Sequence, residues 1–413
     1  MKKTVWLFFI ALLLMPLACN EPVAVIDDDG ENPYIPLVLS TKQMGYVTSG
    51  NAFAYDFIAR VDKYAAGEAQ DEWFISPLSL QIALGMLING AEGETAGEIC
   101  KMLGYGADEV DEVNKWCRMM LSGLPTLDKK TELGLADAIF YNKLVTLKSS
   151  YLDTVKSVYD AEIRALDFGD VDASLKTING WCSEKTRGMV PEVLDNVDPR
   201  DIAYLINALY FKSEWQEQFP KEATAEEPFV REDGKEVAVK MMKLAEKKSS
   251  YGETDVFQAV NLPYGNGAFT MTVILPKKGH TVSEVAALLA GQPTLLTTSA
   301  TVDLWLPRFD MKYHIELNDI LESMGMKLAF DSAYADFSAM CDQPCWVDFV
   351  QQDTAITVDE EGTEAAAVTV IGMKRTTSAS SPNIVFHADH PFLYLITETS
   401  TKAVLFAGKY SGN

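Results

Sequence analysis

Histidine is the side chain that most often carries acid–base or metal chemistry near neutral pH, and this chain has four, at positions 280, 314, 387 and 390. His387 and His390 stand three residues apart and could together bind a metal ion. Their spacing falls in a predicted loop that leads into a strand, and no second ligand motif accompanies it. We therefore interpret the pair as structural and predict no metal site.

The cysteines do not form a pattern typical of a disulfide framework. Apart from Cys19 they are Cys100, Cys117, Cys182, Cys341 and Cys345, an odd number without close pairs. The last two are four residues apart, but no second Cys or His pair accompanies them, which argues against a zinc site. We interpret them as buried small apolar side chains.

Catalytic signatures are missing from the sequence. There is no Gly-x-Ser-x-Gly, Ser-x-x-Lys or His-Glu-x-x-His motif and no phosphate-binding glycine loop. The many Asp and Glu residues form no recognisable arrangement. We predict that the protein is not an enzyme and uses no cofactor, and a secreted hydrolase is the least favoured function.

Composition narrows the function further. Of 413 residues, 48% are hydrophobic, which is enough for a large core and excludes intrinsic disorder. Lys and Arg number 35 against 59 Asp and Glu, a net charge of −24. Such a field repels polyanions, so nucleic acid and heparin-type partners are not expected.

The N-terminus predicts export. Two lysines precede an uncharged stretch, Val5 to Ala18, which is shorter than the roughly 20 residues that span a bilayer, so we predict a signal peptide at 1–18. The following Cys19 completes a sequence similar to a bacterial lipobox, whereas an ordinary secretory signal is the alternative. We predict that residues 19–44 form a lipidated acidic tether and that the protein lies outside the cytoplasm, anchored to the cell envelope or surface, or else secreted.

Hydrophobic periodicity predicts helices first and strands later. Phe53, Phe57, Val61 and Ala65 recur every four residues as one helical stripe. Ser76 and Pro77 predict the cap and first turn of another helix. Apolar runs at 270–275, 302–306, 392–397 and 403–407 predict strands, the last two joined by a polar turn. The order favours an α+β fold and a single domain.

One segment near the C-terminus is unusual on physical grounds. Gly362 provides a pivot, and small residues and then β-branched residues follow it to position 371. As a strand, it would place the odd-numbered residues from Thr363 to Met373 on one uncharged face. Small residues followed by β-branched ones would suit a strand that slips between two others. An alanine-rich helix or an ordinary buried strand is the alternative.

This segment resembles the reactive-loop hinge of the serpins, the serine protease inhibitor family. Eight other motifs stand in that family's order between about residues 45 and 410: 74–79, 90–95, 178–181 with Thr186 and Gly188, 207–215 with Phe219, 262–264, 306–309, 335–338 and 388–392. The resemblance implies a serpin fold of about eight to nine helices around three β-sheets. The serpin domain would occupy 45–413, with an exposed reactive loop at about 360–382.

The resemblance also implies a mechanism. A protease that cuts the loop would be trapped as an acyl-enzyme when the hinge enters the main sheet as a new strand, and the uncharged inward face favours an inhibitor over a non-inhibitory binding module. The hinge residues would be Glu361, Gly362, Thr363, Glu364, Ala365, Ala366 and Ala367. Ser76, Ser79, Asn207 and Trp215 would lie where the sheet opens, although ordinary packing is the alternative for each. Gln352 stands where many serpins have His, so the network that guards sheet opening would differ here.

The reactive bond is expected within 375–377. Counting from the hinge places it between Thr376 and Thr377, which would suit an elastase- or subtilisin-like enzyme, whereas Arg375 before Thr376 would suit a trypsin-like one. Counting back from Pro391 instead reaches Ser380. The expected partners are serine proteases, or cysteine proteases, and the membrane is contacted through the lipid anchor only. The protein is expected to be a monomer.

Overall fold

Helices dominate the first half of the chain and strands the second, as the periodicity predicts. The computed structural model describes residues 32–291, 294–363 and 383–413. The helices within these ranges are α1 Thr41–Gly67, α2 Pro77–Ile88, α3 Gly93–Leu103, α4 Val110–Gly123, α5 Ser149–Tyr159, α6 Val171–Lys185, α7 Val282–Leu289 and α8 Asn318–Met324. None of the helices in the described ranges combines the length and apolar character needed to cross a membrane.

The strands belong to two hydrogen-bonded sheets. They are β1 Trp73–Ile75, β2 Glu132–Asn142, β3 Glu162–Leu166, β4 Ala203–Glu214, β5 Ala225–Val230, β6 Glu236–Glu253, β7 Phe257–Pro263, β8 Phe269–Pro276, β9 Thr298–Pro307, β10 Phe309–Glu316, β11 Gln351–Val358, β12 Gly362–Thr363, β13 Ile384–His387, β14 Phe392–Glu398 and β15 Val404–Tyr410. Six strands run in the order β10-β11-β12-β4-β2-β3. The other sheet runs β1-β15-β14-β8-β7-β6-β9-β13, with β5 beside β6.

The α+β fold class is confirmed, with one difference in how the sheets divide. The resemblance implies three sheets, whereas the 18 residues of β6 pair with β5 at one end, β9 in the middle and β7 at the other end. A β-bulge between Leu244 and Lys247, with Glu246 at φ 56°, bends the strand. One strand therefore joins two of the three expected sheets.

The predicted helical stripe faces the core. Phe53, Phe57, Val61 and Ala65 of α1 are all at most 3% exposed. The helix starts at Ser40, whose hydroxyl accepts from the Gln43 N–H in a capping box. Because α2 packs against both β4 and β15, it lies between the two sheets, and it buries almost all of its residues.

The described end of the predicted tether is packed rather than solvated. Asn32 Nδ2 donates to Asp128 Oδ1 at 2.7 Å, and both side chains are buried. Tyr34 is also buried, and α1 already begins at Thr41. Residues 32–44 therefore belong to the folded body, because contacts with residues distant in the chain fix them despite their turn-rich composition.

Candidate functional site

The chain between β11 and β12 turns tightly at one end of these two internal strands of the six-stranded sheet. The Trp215 N–H donates to the Glu361 carbonyl at 2.8 Å, and the Phe219 N–H donates to the Glu360 carbonyl at 2.9 Å. Asp359 Oδ1 accepts from the backbone N–H groups of Glu361 and Gly362 at 2.9 and 3.1 Å. The turn is therefore held from both sides, and it delivers the chain to β4.

Gly362 allows the chain to approach β4 closely. A Cβ atom at this position would lie 2.2 Å from the carbonyl oxygen of Ser213. Gly362 pairs with Glu214 and Thr363 pairs with Ser213, while Thr363 also pairs with Val358 of β11. The predicted pivot is thus the first residue of a two-residue strand between β11 and β4.

The two carboxylates of the turn are buried but have partners. Thr224 Oγ1 donates to Glu360 Oε1 at 2.8 Å, and Arg308 Nη1 lies 3.6 Å from the other oxygen. Glu361 forms an ion pair with Lys221. Glu360 and Glu361 are 6% and 7% exposed, so these partners compensate for most of the lost hydration.

Trp215 lies directly against the hinge. Its indole Nε1–H donates to the Asp359 carbonyl at 2.9 Å, and its ring stacks on Tyr264 at 4.4 Å. The Tyr264 hydroxyl shares a 2.7 Å hydrogen bond with Thr363 Oγ1. Burial raises the pKa of Tyr264 well above its ordinary value, so the phenol stays neutral. Because its hydroxyl binds this buried phenol, Thr363 points into the core.

Beyond the two residues of β12, the strands β4 and β11 border a gap that we call the insertion slot. They share no hydrogen-bonded pairing with each other in the described residues; β12 lies between them at one end only. A cavity of about 290 Å³ occupies the slot. Residues Ile206 to Ala208 line one side, and residues Gln352 to Thr354 line the other.

The first turn of α2 is hydrogen-bonded to both edges of the insertion slot. Gln352 of β11 accepts from the Ser76 N–H at 2.7 Å and donates to the Ser76 carbonyl at 2.9 Å. The Ser79 hydroxyl donates to Asn207 of β4. The structure thus brings Ser76, Ser79, Asn207 and Gln352 together around the cavity, whereas Trp215 lies at the hinge end.

Sequence reasoning missed Asp137, which extends this network. Asn207 Nδ2 donates to Asp137 Oδ1 at 2.7 Å, whereas Oδ2 is buried without a hydrogen-bond partner among the described atoms. Burial raises the pKa of Asp137 to about 7, and the Asn207 hydrogen bond opposes this shift. The sequence held a signal, because Asp137 is the sole charged residue between Leu133 and Asn142.

Other predicted residues lie outside the described ranges. These are Cys19 of the predicted lipid anchor, the hinge residues Glu364, Ala365, Ala366 and Ala367, and the three candidates for the reactive bond, Arg375, Thr376 and Thr377.

The histidines and cysteines that could have indicated a metal have local partners. His387 Nε2 lies 3.0 Å from Glu227, and His390 contacts Asp389 and the Pro276 carbonyl. Over residues 32–291, 294–363 and 383–413, no three His, Cys, Asp or Glu side chains cluster as a metal site. Cys341 is buried as predicted, but Cys345 is only partly buried and its sulfur contacts that of Cys341.

In the described residues, the six-stranded sheet thus has a gap between β4 and β11 that β12 fills at one end only. The family model described as serpin (serine protease inhibitor) matches residues 48–412. Serpin B6 of Macaca fascicularis is 33% identical over 82% of this chain and 92% of its own length. The chain belongs to the serpin family.

Solved structures with this fold include a thermophilic serpin and a thyroxine-binding protein. The native state of the thermophilic serpin tengpin superposes with a TM-score of 0.80 at 29% identity, covering 91% of this chain and 95% of tengpin. Human thyroxine-binding globulin complexed with thyroxine superposes with a TM-score of 0.79 at 25% identity, covering 90% and 100%. That protein binds thyroxine, so the fold alone does not fix the function.

Proposed function

We propose that this protein is an irreversible suicide-substrate inhibitor of serine proteases. The protease serine attacks the carbonyl carbon of Arg375 or Thr376, the peptide bond breaks, and the new amino terminus leaves with the C-terminal fragment. The remaining ester links the protease to the end of the loop. The loop then enters the insertion slot as a new strand and carries the protease with it, before water hydrolyses the ester.

The observation that carries this proposal is the register of β12. Continuing the pairing of Gly362 with Glu214 and Thr363 with Ser213 would place Met373 opposite Ala203, the first residue of β4. On the other side, continuing the pairing of Thr363 with Val358 would reach Gln352 at Thr369. The slot is therefore long enough for the loop up to a few residues before the proposed reactive bond.

The same register supports roles for the residues around the cavity. It would place Thr369 between Asn207 of β4 and Gln352 of β11, where these side chains now hydrogen-bond to Ser79 and Ser76. Threonine offers a hydroxyl that can donate and accept. An inserted loop could thus supply a polar group where strand separation disturbs the present network.

Side-chain direction gives the sharpest test. Because Thr363 points into the core, every second residue after it would also face the core on insertion. Ala365 would lie opposite Phe211, which is 6% exposed, whereas Glu364 would lie opposite the more exposed Lys212. A carboxylate is thus tolerated at position 364 but not at 365.

We expect A365E to turn the inhibitor into a substrate. Burying an unpaired carboxylate costs several kcal/mol, so trapping should fall at least about tenfold while cleavage of the loop continues. The assay is a denaturing gel with trypsin and with elastase, which separates the stable complex from cleaved protein. E364A is the matched control and should trap as well as the natural sequence. Equal trapping by A365E and E364A would contradict loop insertion.

A non-inhibitory binding module is the second candidate, favoured by the likeness to thyroxine-binding globulin. Cleaving the loop distinguishes an inhibitor from a binding module. Insertion of a cut loop adds hydrogen bonds to the sheet and buries apolar surface, which stabilises the protein. Protein nicked in the loop should therefore melt at a higher temperature than intact protein. If nicking leaves the melting temperature unchanged and neither enzyme forms a stable complex, the binding module is the better proposal.

We also propose that the protein is exported and works as a monomer. The signal peptide at 1–18 and the lipidated Cys19 would place the folded body outside the cytoplasm, on the cell envelope or surface. Replacing Cys19 with Ser should release the protein from membranes into the soluble fraction. If C19S fractionates like the natural sequence, the proposal of a lipid anchor fails. An ordinary secretory signal or another location then becomes the better proposal.

A further inference from the structure

Two thiols touch beside the insertion slot. Cys341 Sγ and Cys345 Sγ lie 3.5 Å apart. Cys341 is 1% exposed, whereas Cys345 is partly buried and lines the cavity. A disulfide bond is about 2.05 Å long, so the two sulfurs need to approach by only about 1.5 Å.

The two cysteines belong to differently placed stretches of chain. Cys341 forms a β-bridge with Leu147, and the neighbouring Met340 accepts from the Lys148 N–H at 2.8 Å and donates to the Gly90 carbonyl at 3.1 Å. Cys345 follows Pro344 at the start of the stretch that lines the cavity and leads into β11. A bond between them would connect an anchored point to the start of one edge of the insertion slot.

We propose that Cys341 and Cys345 form a reversible disulfide by exchange with a small-molecule disulfide that reaches Cys345 from the cavity. The Cys345 thiolate attacks one sulfur of the oxidant and releases the first thiol. The Cys341 thiolate then attacks the Cys345 sulfur of the mixed disulfide and releases the second thiol. The two protein thiols give up two protons and two electrons, and the oxidant is reduced to two thiols.

The surroundings of Cys345 predict a slow, pH-dependent reaction. Burial and then the adjacent Cys341 raise the pKa of Cys345 to about 12. Tyr151 of α5 faces the thiol. The nearby Asp342, which follows Cys341 in the sequence, forms an ion pair with Lys148. Because the thiolate is the nucleophile, the exchange rate should rise about tenfold for each unit of pH below the pKa.

Asp342 lies between the two cysteines, which gives a direct test. The reduced full-length protein is incubated with oxidised glutathione, its remaining thiols are blocked, and it is cut by a protease that cleaves before Asp342. We expect the Cys341 and Cys345 fragments to stay linked in mass spectra and to separate on reduction. The protein should lose the mass of two hydrogen atoms.

Three variants separate this proposal from general oxidation. C341S should accumulate the glutathione adduct on Cys345, because the resolving thiol is missing, and C345S should leave Cys341 unmodified. C182S is the matched control, since Cys182 also lines the cavity, and it should form the bond as fast as the natural sequence. Unlinked fragments after oxidation of the natural sequence, or loss of the bond in C182S, would overturn the proposal. Protease trapping plays no part in this readout, so the outcome is independent of the inhibitory function.

Discussion

Replacing Asp137 with Asn should change how stability depends on pH. Asp137 of β2 is 2% exposed and accepts one hydrogen bond, from Asn207. The groups that face it from the neighbouring helices are Cys117 of α4 and Tyr159 of α5, and neither carries a positive charge. Among the described residues no ion pair involves this carboxylate, and burial raises its pKa to about 7.

The direction of the effect follows from proton binding. With a folded pKa above the unfolded one, Asp137 holds its proton more tightly in the native state, so its stabilising contribution is present below about pH 4. It is lost as pH rises towards about 7. The whole change corresponds to about 4 kcal/mol. Between about pH 5 and about pH 8, roughly 3 kcal/mol of it should be measurable.

Urea unfolding at several pH values provides the assay. The free energy of unfolding of D137N minus that of the natural sequence should increase by roughly 3 kcal/mol from about pH 5 to about pH 8. Subtracting the two curves removes the other titrating groups they share. Asp153, on the exposed side of α5, supplies the control, and D153N should give a constant difference. Parallel curves for D137N and the natural sequence would refute the argument that burial raises the pKa of Asp137.

Two other substitutions test the hinge and the opening network. G362A places a methyl group against the Ser213 carbonyl, so amide hydrogen exchange at Trp215 and Phe219, whose N–H groups bond to the hinge turn, should speed up at least about tenfold. G97A, where the added atom meets nothing within 4 Å, should leave both amides protected, and equal protection in the two variants would contradict the steric account. Q352L leaves the buried Ser76 N–H without its partner and should lower the free energy of unfolding by about 3 kcal/mol. The control is Q258L, at the partly exposed Gln258, which should lower the free energy of unfolding in urea by less than about 1 kcal/mol. A similar loss in both variants would show that the Ser76 contacts contribute little.

Local pattern was enough to predict the elements that carry a strong period. The four-residue stripe of α1 and the cap at Ser76 depend on neighbours within one or two turns, and both are confirmed. The strands near residues 270, 302, 392 and 404 also lie where apolar runs predict them. These patterns predict the elements correctly because burying one apolar face dominates the local free energy.

Features set by distant parts of the chain could not be predicted in the same way. The two-residue strand β12 is too short to show a hydrophobic period. It forms only because residue 362 is small enough to lie against the carbonyl of Ser213. The packing of Asn32 depends on Asp128, nearly a hundred residues later. The contact of Cys341 and Cys345 depends on a turn between them, which spacing alone does not specify.

The short strand β12 also bears on the kinetics of any later rearrangement. Two paired residues already hold the hinge against the sheet, so in the proposed insertion most of the loop-closure entropy would be lost before a protease arrives. The proposed insertion would then grow stepwise from these two residues, as a helix propagates after its first turn. Extra residues beyond the reactive bond should then have little influence on how fast growth begins, whereas damage to the paired residues themselves should delay it.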